Sequence, residues 1–141
     1  MSIQYYIDLK LNATYSKENI IKILQQGLKR DLCYYDHILG ERYENSPTLN
    51  AEQAANKVIK ALEENIDGGP CVYAKIEETN GFLSFYKSED GWFEFRIGGF
   101  GSPNKKDFLD GVYYIDFDYY IRMALDLCKG FAIVELKTDA L

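Results

Sequence analysis

Hydrophobic and polar residues alternate near the start of the chain. From residue 3 to residue 11 every second position is apolar, and the set is Ile3, Tyr5, Ile7, Leu9 and Leu11. A period of two places side chains alternately on the two faces of a strand. The pattern therefore predicts a first strand with one buried face.

Two segments farther along repeat apolar residues at helical spacing. The first helix is predicted over about residues 17–30, because Ser16 is a favourable N-cap and an apolar stripe follows it. The second begins after a capping box formed by Asn50 and Gln53 and is expected to stop near Asn65. The apolar stripes are Ile20, Ile21, Ile23, Leu24 and Leu28 in the first helix, and Ala54, Ala55, Val58, Ile59 and Leu62 in the second.

A third helix is predicted near the end of the chain. Asp116 or Asp118 is placed to cap it, the helix runs to Lys129, and Gly130 takes the position after its C-cap. One helical face carries Phe117, Ile121, Leu125 and Cys128, while Tyr120, Met123, Ala124 and Leu127 make the helix apolar around most of its circumference. Residues 131–136 then predict a buried strand.

Residues 71–99 are predicted to form a three-stranded antiparallel meander. Asn80 and Gly81 give the strongest hairpin signal, because a type I′ turn requires positive φ at both central positions. A turn at these two residues sets Ile76 opposite Phe85. The first two strands of the meander are therefore expected to meet at this turn.

The second turn of the meander follows from the faces of its strands. A two-residue loop would place Phe85 opposite Arg96 and mix apolar with charged residues on one face. A three-residue loop over residues 89–91, with Gly91 as the left-handed residue of a bulge, instead pairs Phe85 with Phe95. We therefore expect the bulged hairpin.

This register divides the meander into two faces. The face expected to meet the helices carries Ile76, Leu83, Phe85, Phe93, Phe95 and Ile97, and the opposite face carries Tyr73, Lys75, Glu77, Tyr86, Trp92, Glu94 and Arg96. Tryptophan and tyrosine are enriched at binding hot spots, so we expect this opposite face to contact a partner. The predicted contact residues are Tyr73, Tyr86, Trp92, Glu94 and Arg96. A solvated or otherwise covered sheet face is the competing interpretation.

Turn-forming residues dominate two other stretches. Residues 33–35 begin as a strand, but glycine, asparagine and proline indicate a loop up to Pro47. Residues 98–104 form a second glycine-rich loop, and residues 112–115 predict a short strand beyond it.

Composition predicts one α+β domain over residues 1–141. The chain has 47% hydrophobic and 15% aromatic residues, enough to bury a core without disulfides or metal. Its formal charge of −6, from 16 basic and 22 acidic residues, disfavours nucleic acid as a partner.

Cys33, Cys71 and Cys128 form no C-x-x-C pair, and the first residues lack a signal-peptide pattern. With no apolar run near the roughly 20 residues that span a bilayer, we expect a cytoplasmic protein and no membrane partner.

No residue pattern indicates catalysis or a cofactor. Cys33 and His37 would approach each other only in a helical segment, and no orienting third group accompanies them. The glycine-rich loop lacks the spacing of a phosphate loop, and Pro103 removes one amide donor. The acidic residues between 107 and 126 lack the alternate spacing of a calcium loop. We therefore expect no enzymatic activity, no cofactor and no metal.

Acidic and aromatic residues are interleaved in residues 110–120. Tyrosine gives a large contact area at low entropy cost, and aspartate pairs with arginine or lysine. This composition favours a second partner-binding set, which consists of Asp110, Tyr113, Asp116, Asp118 and Tyr119. Burial of some of these aromatic residues in the core is the competing interpretation.

A small, acidic, tyrosine-rich α+β chain with such a segment resembles the bacterial immunity proteins that neutralise partner toxins. The segment reads Asp110-Gly111-Val112-Tyr113-Tyr114-Ile115-Asp116-Phe117-Asp118-Tyr119-Tyr120. The resemblance implies a protein that binds a basic toxin domain and occludes its active site, with acidic groups facing the toxin's cations and aromatic residues as anchors. A non-catalytic regulatory or scaffold protein, including a homodimer, is the alternative. A small-ligand binder or an enzyme is less favoured.

Overall fold

The computed structural model describes residues 5–36, 47–64, 71–76, 79–87, 90–98, 105–109, 112–115 and 117–140. These residues form three helices and nine strands. The helices are α1 (Lys17–Lys29), α2 (Ala51–Glu63) and α3 (Phe117–Leu127). The strands are β1 (Tyr5–Thr14), β2 (Cys33–Tyr35), β3 (Thr48–Leu49), β4 (Cys71–Ile76), β5 (Thr79–Lys87), β6 (Trp92–Gly98), β7 (Lys105–Leu109), β8 (Val112–Ile115) and β9 (Ile133–Ala140).

Seven strands form one antiparallel sheet in the order β3-β2-β4-β5-β6-β1-β9, and β7 pairs with β8. The predicted α+β class is therefore confirmed. The predicted three-stranded meander forms the centre of this sheet as β4, β5 and β6. The sequence did not indicate where the first and last strands join it, and both lie on the β6 side, as β1 and β9. The short strands predicted at residues 33–35 and 112–115 form as β2 and β8, whereas β7 was not predicted.

All three helices pack against the same face of the large sheet. The buried face of the sheet contributes Ile7, Leu9, Leu11, Tyr34, Val72, Ala74, Leu83, Phe85, Phe93, Phe95 and Ile97. The helices contribute Ile20, Ile23, Leu24, Ala54, Ala55, Val58, Tyr120, Met123, Ala124 and Leu127. The buried faces predicted for β1, β5 and β6 are thus confirmed, because the period of two matches the burial along each strand.

The ends of α1 follow from local hydrogen bonding. The side chain of Ser16 caps the first turn, as predicted. At the other end Asp31 adopts a φ of 64°, its N–H donates to the Leu28 carbonyl, and the N–H of Leu32 donates to the Gly27 carbonyl. This pair of bonds is a Schellman motif, which ends the helix and directs Leu32 into the core. The capping box predicted for α2 is also present.

The first turn of the meander was predicted at the wrong place. Ile76 lies opposite Thr79 rather than Phe85, so Asn80 and Gly81 lie within β5. Residues 77–78, between the two strands in sequence, are outside the described residues. The partner of Ile76 moves by six positions, from 85 to 79, and this even number is the reason that Tyr73, Lys75, Leu83 and Phe85 keep their predicted faces. The side chain of Ile76 and residue Glu77 are outside the described part of the chain.

Apolar pairing explains the observed register of the meander. It places Val72 directly opposite Leu83, and both side chains are fully buried. This cross-strand contact outweighs the local preference of an Asn-Gly pair for a turn. The second hairpin has the predicted register, with Phe85 opposite Phe95 and Gly91 at a φ of 83°.

The buried faces of α1 and α3 differ from the predicted ones. Leu28 and Leu125 were assigned to the apolar stripes, but they are 39% and 43% exposed. The buried face of α3 consists of Tyr120, Met123, Ala124, Leu127 and Cys128. Because α3 is apolar around most of its circumference, periodicity alone did not select its face. The helix begins at Phe117, so Asp118 lies in its first turn rather than at the N-cap, and Asp116 lies outside the described residues.

The last strand was predicted to be buried, and this was wrong. β9 lies at the edge of the sheet and pairs with β1, and two of its apolar residues, Ile133 and Val134, are 38% and 46% exposed. An edge strand has a neighbour on one side only, so a continuous apolar run does not require burial. Gly130 before it has a φ of 94°, as expected of a glycine beyond a helix end. However, α3 ends at Leu127 rather than at the predicted Lys129.

Candidate functional site

The sheet face turned away from the helices, which we call the open face, carries aromatic and charged side chains. Its residues alternate along each strand with the buried ones. The open face consists of Tyr6, Asp8, Lys10, Tyr35, Tyr73, Lys75, Phe82, Ser84, Tyr86, Trp92, Glu94, Arg96, Glu135 and Lys137. Two of them, Tyr6 and Ser84, are buried, with 8% and 2% exposure. Among the described residues, no helix packs on this side.

A row of aromatic residues crosses the open face. Successive strand pairs align Tyr35 with Tyr73, Tyr73 with Phe82, Phe82 with Gly98, and Gly98 with Tyr6. Gly98 leaves room for the Tyr6 ring, since a Cβ at Gly98 would lie only 2.2 Å from Cδ1 of that ring. The ring centroids of Tyr6 and Phe82 are 6.1 Å apart. The strand register therefore aligns four aromatic residues in one row, and the rings of Tyr6 and Phe82 contact each other.

A second row contains alternating charges. Arg96 lies between Ser84 and Asp8, and Asp8 lies opposite Lys137. The Arg96 guanidinium donates from Nε to Asp8 Oδ1 at 2.6 Å and from Nη2 to Asp8 Oδ2 at 3.0 Å. This bidentate bond raises the pKa of Arg96 further above its usual value. The same guanidinium lies 4.7 Å from the centroid of the Tyr6 ring, so it links the charged row to the aromatic one.

A third row has the opposite sequence of charges. Tyr86 is followed across the strands by Glu94, Lys10 and Glu135. Lys10 Nζ lies 2.5 Å from Oδ2 of Asp90. The bond to Asp90 is the main reason that the pKa of Lys10 is raised, and the negative charges of Glu94 and Glu135 add to it. Lys10 is thus held at the centre of several carboxylates.

Two further contacts order the edges of these rows. The Lys10 ammonium lies 5.3 Å from the centroid of the Trp92 ring. At β9, Lys137 Nζ lies 2.7 Å from Glu135 Oε1, which lowers the pKa of Glu135 and raises the pKa of Lys137. The charged side chains of the open face therefore hold one another in defined positions.

The two charged rows balance each other. The carboxylates of Asp8, Glu94 and Glu135 alternate with the cations of Lys10, Arg96 and Lys137 in a checkerboard. An open cavity of about 300 Å³ lies among these rows, and Tyr86 lines it together with the charged residues. Its volume is at the lower end of the range for small-ligand pockets, of the order of one or two side chains.

Comparisons with known proteins give no identification. Neither a family model, nor a curated protein, nor a solved structure matches this chain. Within the described part of the chain, no group of three or more His, Cys, Asp or Glu residues is arranged to hold a metal ion. No helix among the described residues is long and apolar enough to cross a membrane. His37 lies outside the described residues, so its approach to the exposed Cys33 stays a hypothesis.

The structure brings together the first predicted set of contact residues. Tyr73, Tyr86, Trp92, Glu94 and Arg96 all lie on the open face, and each is partly exposed. The assignment of Tyr73 holds despite the misplaced turn because the register shifted by an even number of residues.

The second predicted set lies elsewhere. Asp118 and Tyr119 belong to α3, which packs on the buried face of the sheet. Asp118 is exposed and its Oδ2 lies 3.1 Å from Nε of Arg122, whereas Tyr119 packs partly against the core. The backbone of Tyr113 lies in β8, and Asp110 and Asp116 are outside the described residues. Of the second set, Asp118 and Tyr119 therefore lie on the opposite side of the sheet from the first set.

Sequence reasoning missed the contribution of β1 and β9 to the open face. The alternation in β1 already placed Tyr6, Asp8 and Lys10 opposite its buried residues. The missing information was the strand order, because β1 lies beside β6 only through pairing between distant parts of the chain. Glu135 and Lys137 were missed because β9 was predicted to be buried.

Proposed function

We propose that this chain is a non-catalytic protein-binding domain and that the open face is its contact surface. The main supporting observation is that all three helices cover one face of the sheet, while the other face presents ordered aromatic and charged side chains. An antiparallel sheet that only faces water is usually rich in Thr, Lys and Glu. Rows of Tyr, Phe and Trp on such a face are typical of a surface that binds another protein.

The aromatic residues of the open face suit a binding role because they are already partly immobilised. Tyr73, Tyr86 and Trp92 are half-buried, and the Lys10 ammonium lies against the Trp92 ring. Tyrosine and tryptophan have few rotatable bonds, so burying them in an interface costs little conformational entropy. They would form the anchors of the contact.

The charged rows would supply specificity. Their side chains are already hydrogen-bonded within the protein, as in the bidentate pair of Arg96 and Asp8. A partner with the wrong charge pattern would set like charges against each other, which is strongly unfavourable in a closed interface. The cavity beside Tyr86 would accept one projecting side chain of the partner.

The most specific form of the proposal is an immunity protein that occludes the active site of a basic toxin domain. The formal charge of −6 supports it, because an acidic chain attracts a basic partner at long range and accelerates association. Occlusion requires no chemistry of this chain. The partner would be inhibited as long as the open face covers its active site.

A regulatory or scaffold interaction is the second candidate. The checkerboard favours it, since three carboxylates and three cations give the charged rows of the open face no excess of acid. Such a surface suits a partner with its own mixed charge pattern. The two candidates differ in salt dependence, because steering of a basic partner is screened within about 10 Å at 0.1 M salt.

Affinity purification from the native cells at low and moderate salt, followed by mass spectrometry, tests the proposal. A stoichiometric basic protein that is lost as salt rises would support the immunity function. A partner that is retained at moderate salt would support the regulatory or scaffold function. Repeated recovery of no partner would contradict the immunity function and favour a self-associating scaffold or a small-ligand protein.

Substitutions on the open face test the contact surface. We expect Trp92→Ala or Tyr86→Ala to weaken partner binding by about 2 kcal/mol, or about 30-fold, because anchors at an interface centre carry most of its free energy. Lys60→Ala is the matched control, since Lys60 is exposed on α2, on the opposite side of the sheet. Binding is measured by titration calorimetry, and unfolding in denaturant checks the fold. Unchanged affinity together with a large loss of stability would show that Trp92 and Tyr86 serve the core instead.

A further inference from the structure

The two edges of the large sheet differ in length. On one side the sheet ends in β3, which has two residues, and on the other in β9, which has eight. Among the described residues, β9 has a neighbour on the β1 side only. Its surface is open along most of its length, and Ile133 and Val134 are 38% and 46% exposed. A long edge strand offers unpaired N–H and C=O groups to another strand.

The charges along β9 alternate in sign. In the sequence Glu135, Lys137 and Asp139 occupy every second position, and Glu135 and Lys137 lie on the strand face that continues the checkerboard. Edge strands that are protected against pairing usually carry lysine or like charges, which repel a second copy. Alternating charges have the opposite effect, because an antiparallel copy can bring each charge opposite one of the other sign.

Symmetry restricts how two copies of β9 can pair. If the buried faces of both sheets are to lie on the same side, the pairing is antiparallel about a two-fold axis through one residue. An axis at Glu135 sets two glutamates opposite each other, and an axis at Lys137 sets two lysines opposite each other. An axis at Leu136 sets Glu135 opposite Lys137 of the second copy, twice.

We propose that two copies of this chain associate through β9, antiparallel and with the two-fold axis at Leu136, so that the two sheets become one. Leu136 is partly buried against the core, and this axis sets it against Leu136 of the second copy. Val134 then lies opposite Thr138 of the second copy and loses exposed apolar surface. The register between β9 and β1 shifts at Val134, and the pairing is centred two residues beyond that irregularity.

Four charged side chains, rather than a single ion pair, favour this arrangement. Glu135 and Lys137 already contact each other along the strand, with 2.7 Å between Oε1 and Nζ. In the dimer, the two pairs form a square in which each charge has an opposite charge along its own strand and across the interface. The open faces of both copies lie on the same side of the joined sheet, so the interface leaves them accessible.

A charge reversal tests the register. Sedimentation equilibrium of the purified chain over a dilution series is expected to show a monomer-dimer equilibrium. Glu135→Lys or Lys137→Glu alone sets like charges opposite each other twice, and is expected to weaken dimerisation about tenfold or more. The double variant Glu135→Lys/Lys137→Glu restores opposite charges and is expected to restore dimerisation.

Matched controls separate this register from a general effect of charge. Glu64→Lys and Lys60→Glu make the same changes in net charge on the exposed surface of α2, and are expected to leave the dimer unchanged. A wild-type chain that stays monomeric at the highest concentration, or a double variant that fails to recover, would overturn the proposal. Circular dichroism confirms that each variant is folded. The purified chain contains no other protein, so this result does not depend on the function proposed for the open face.

Discussion

Tyr34 is the largest fully buried side chain of the described core, and its position depends on a glycine. Its hydroxyl donates to the carbonyl oxygen of Leu24 in α1 at 2.6 Å. Burial raises the pKa of this hydroxyl well above its usual value, so it stays a donor at any ordinary pH. Gly27 on the same helix makes room for it, because a Cβ there would lie 2.1 Å from the hydroxyl oxygen. A glycine is therefore needed at position 27, because the Tyr34 hydroxyl oxygen occupies the space that a side chain would fill.

We expect Gly27→Ala to lower the free energy of unfolding by about 2 kcal/mol, measured by chemical denaturation. Alanine favours a helix over glycine by about 1 kcal/mol, but the added methyl group displaces the Tyr34 hydroxyl and breaks its hydrogen bond. Overpacking and the lost bond together exceed the helical gain.

The double variant Gly27→Ala/Tyr34→Phe provides the control. Tyr34→Phe alone is expected to cost about 1 kcal/mol, the usual contribution of one hydrogen bond. In the double variant the clashing oxygen is gone, and the next contacts of the new Cβ are Leu32 and Leu127 methyl groups at 3.1 and 3.2 Å. The double variant should therefore be more stable than the sum of the two losses implies. Additive losses would show that the new methyl group clashes with the Leu32 and Leu127 side chains rather than with the Tyr34 hydroxyl.

At the scale of elements, the sequence correctly predicted the features that depend only on neighbouring residues. The alternation in β1, the caps at Ser16 and Asn50, and the positive φ of Gly91 all follow from a few neighbouring residues, and the structure has each of them. Errors arose where distant contacts decide. Asn80 and Gly81 were predicted to form a turn, but they lie within β5 because the pairing of β4 with β5 is set by buried residues. The last strand was predicted to be buried, because its position at the edge of the sheet depends on the strand order.

The candidate site shows the same division between local and distant information. The alternation of the meander identified six residues of the open face, including Trp92 and Arg96. It did not identify Asp8, which forms the bidentate pair with Arg96 across 88 residues of chain. Only the pairing of β1 with β6 assembles the checkerboard.

The turn before β6 allows a prediction at the scale of one element. Gly91 has a φ of 83°, and a Cβ there would meet no atom within 4 Å, so backbone strain is the only cost of a side chain. We expect Gly91→Ala to destabilise the protein by about 1 kcal/mol in urea denaturation, and Gly91→Asn by less, because asparagine tolerates positive φ. Equal losses for the two variants would show that the side chain, not the backbone, is responsible.

For the whole molecule, the layers of the fold determine how the protein responds to pH. On the open face the ion pair of Arg96 and Asp8 is partly exposed, whereas Cys128 and Tyr34 lie in the layer between helices and sheet. Burial raises the pKa of the Cys128 thiol to about 12, from an ordinary value of 9.0. The core therefore holds groups that must be neutral in the folded state, and their ionisation favours unfolding.

We expect the free energy of unfolding to fall as the pH rises above about 9, by up to about 1.4 kcal/mol per pH unit from Cys128 alone. Above that pH the unfolded thiol loses its proton while the folded thiol keeps it, so the unfolded state binds fewer protons and is favoured. Tyr34 adds to the loss only above its ordinary value of 10.0. Denaturant unfolding between pH 8 and 10 is the measurement, and Cys128→Ala is expected to show a shallower decline. Cys33→Ala, at an exposed thiol, is the control and should follow the wild-type curve. Parallel curves for wild type and Cys128→Ala would mean that the rising net negative charge, and not the buried thiol, destabilises the protein at high pH.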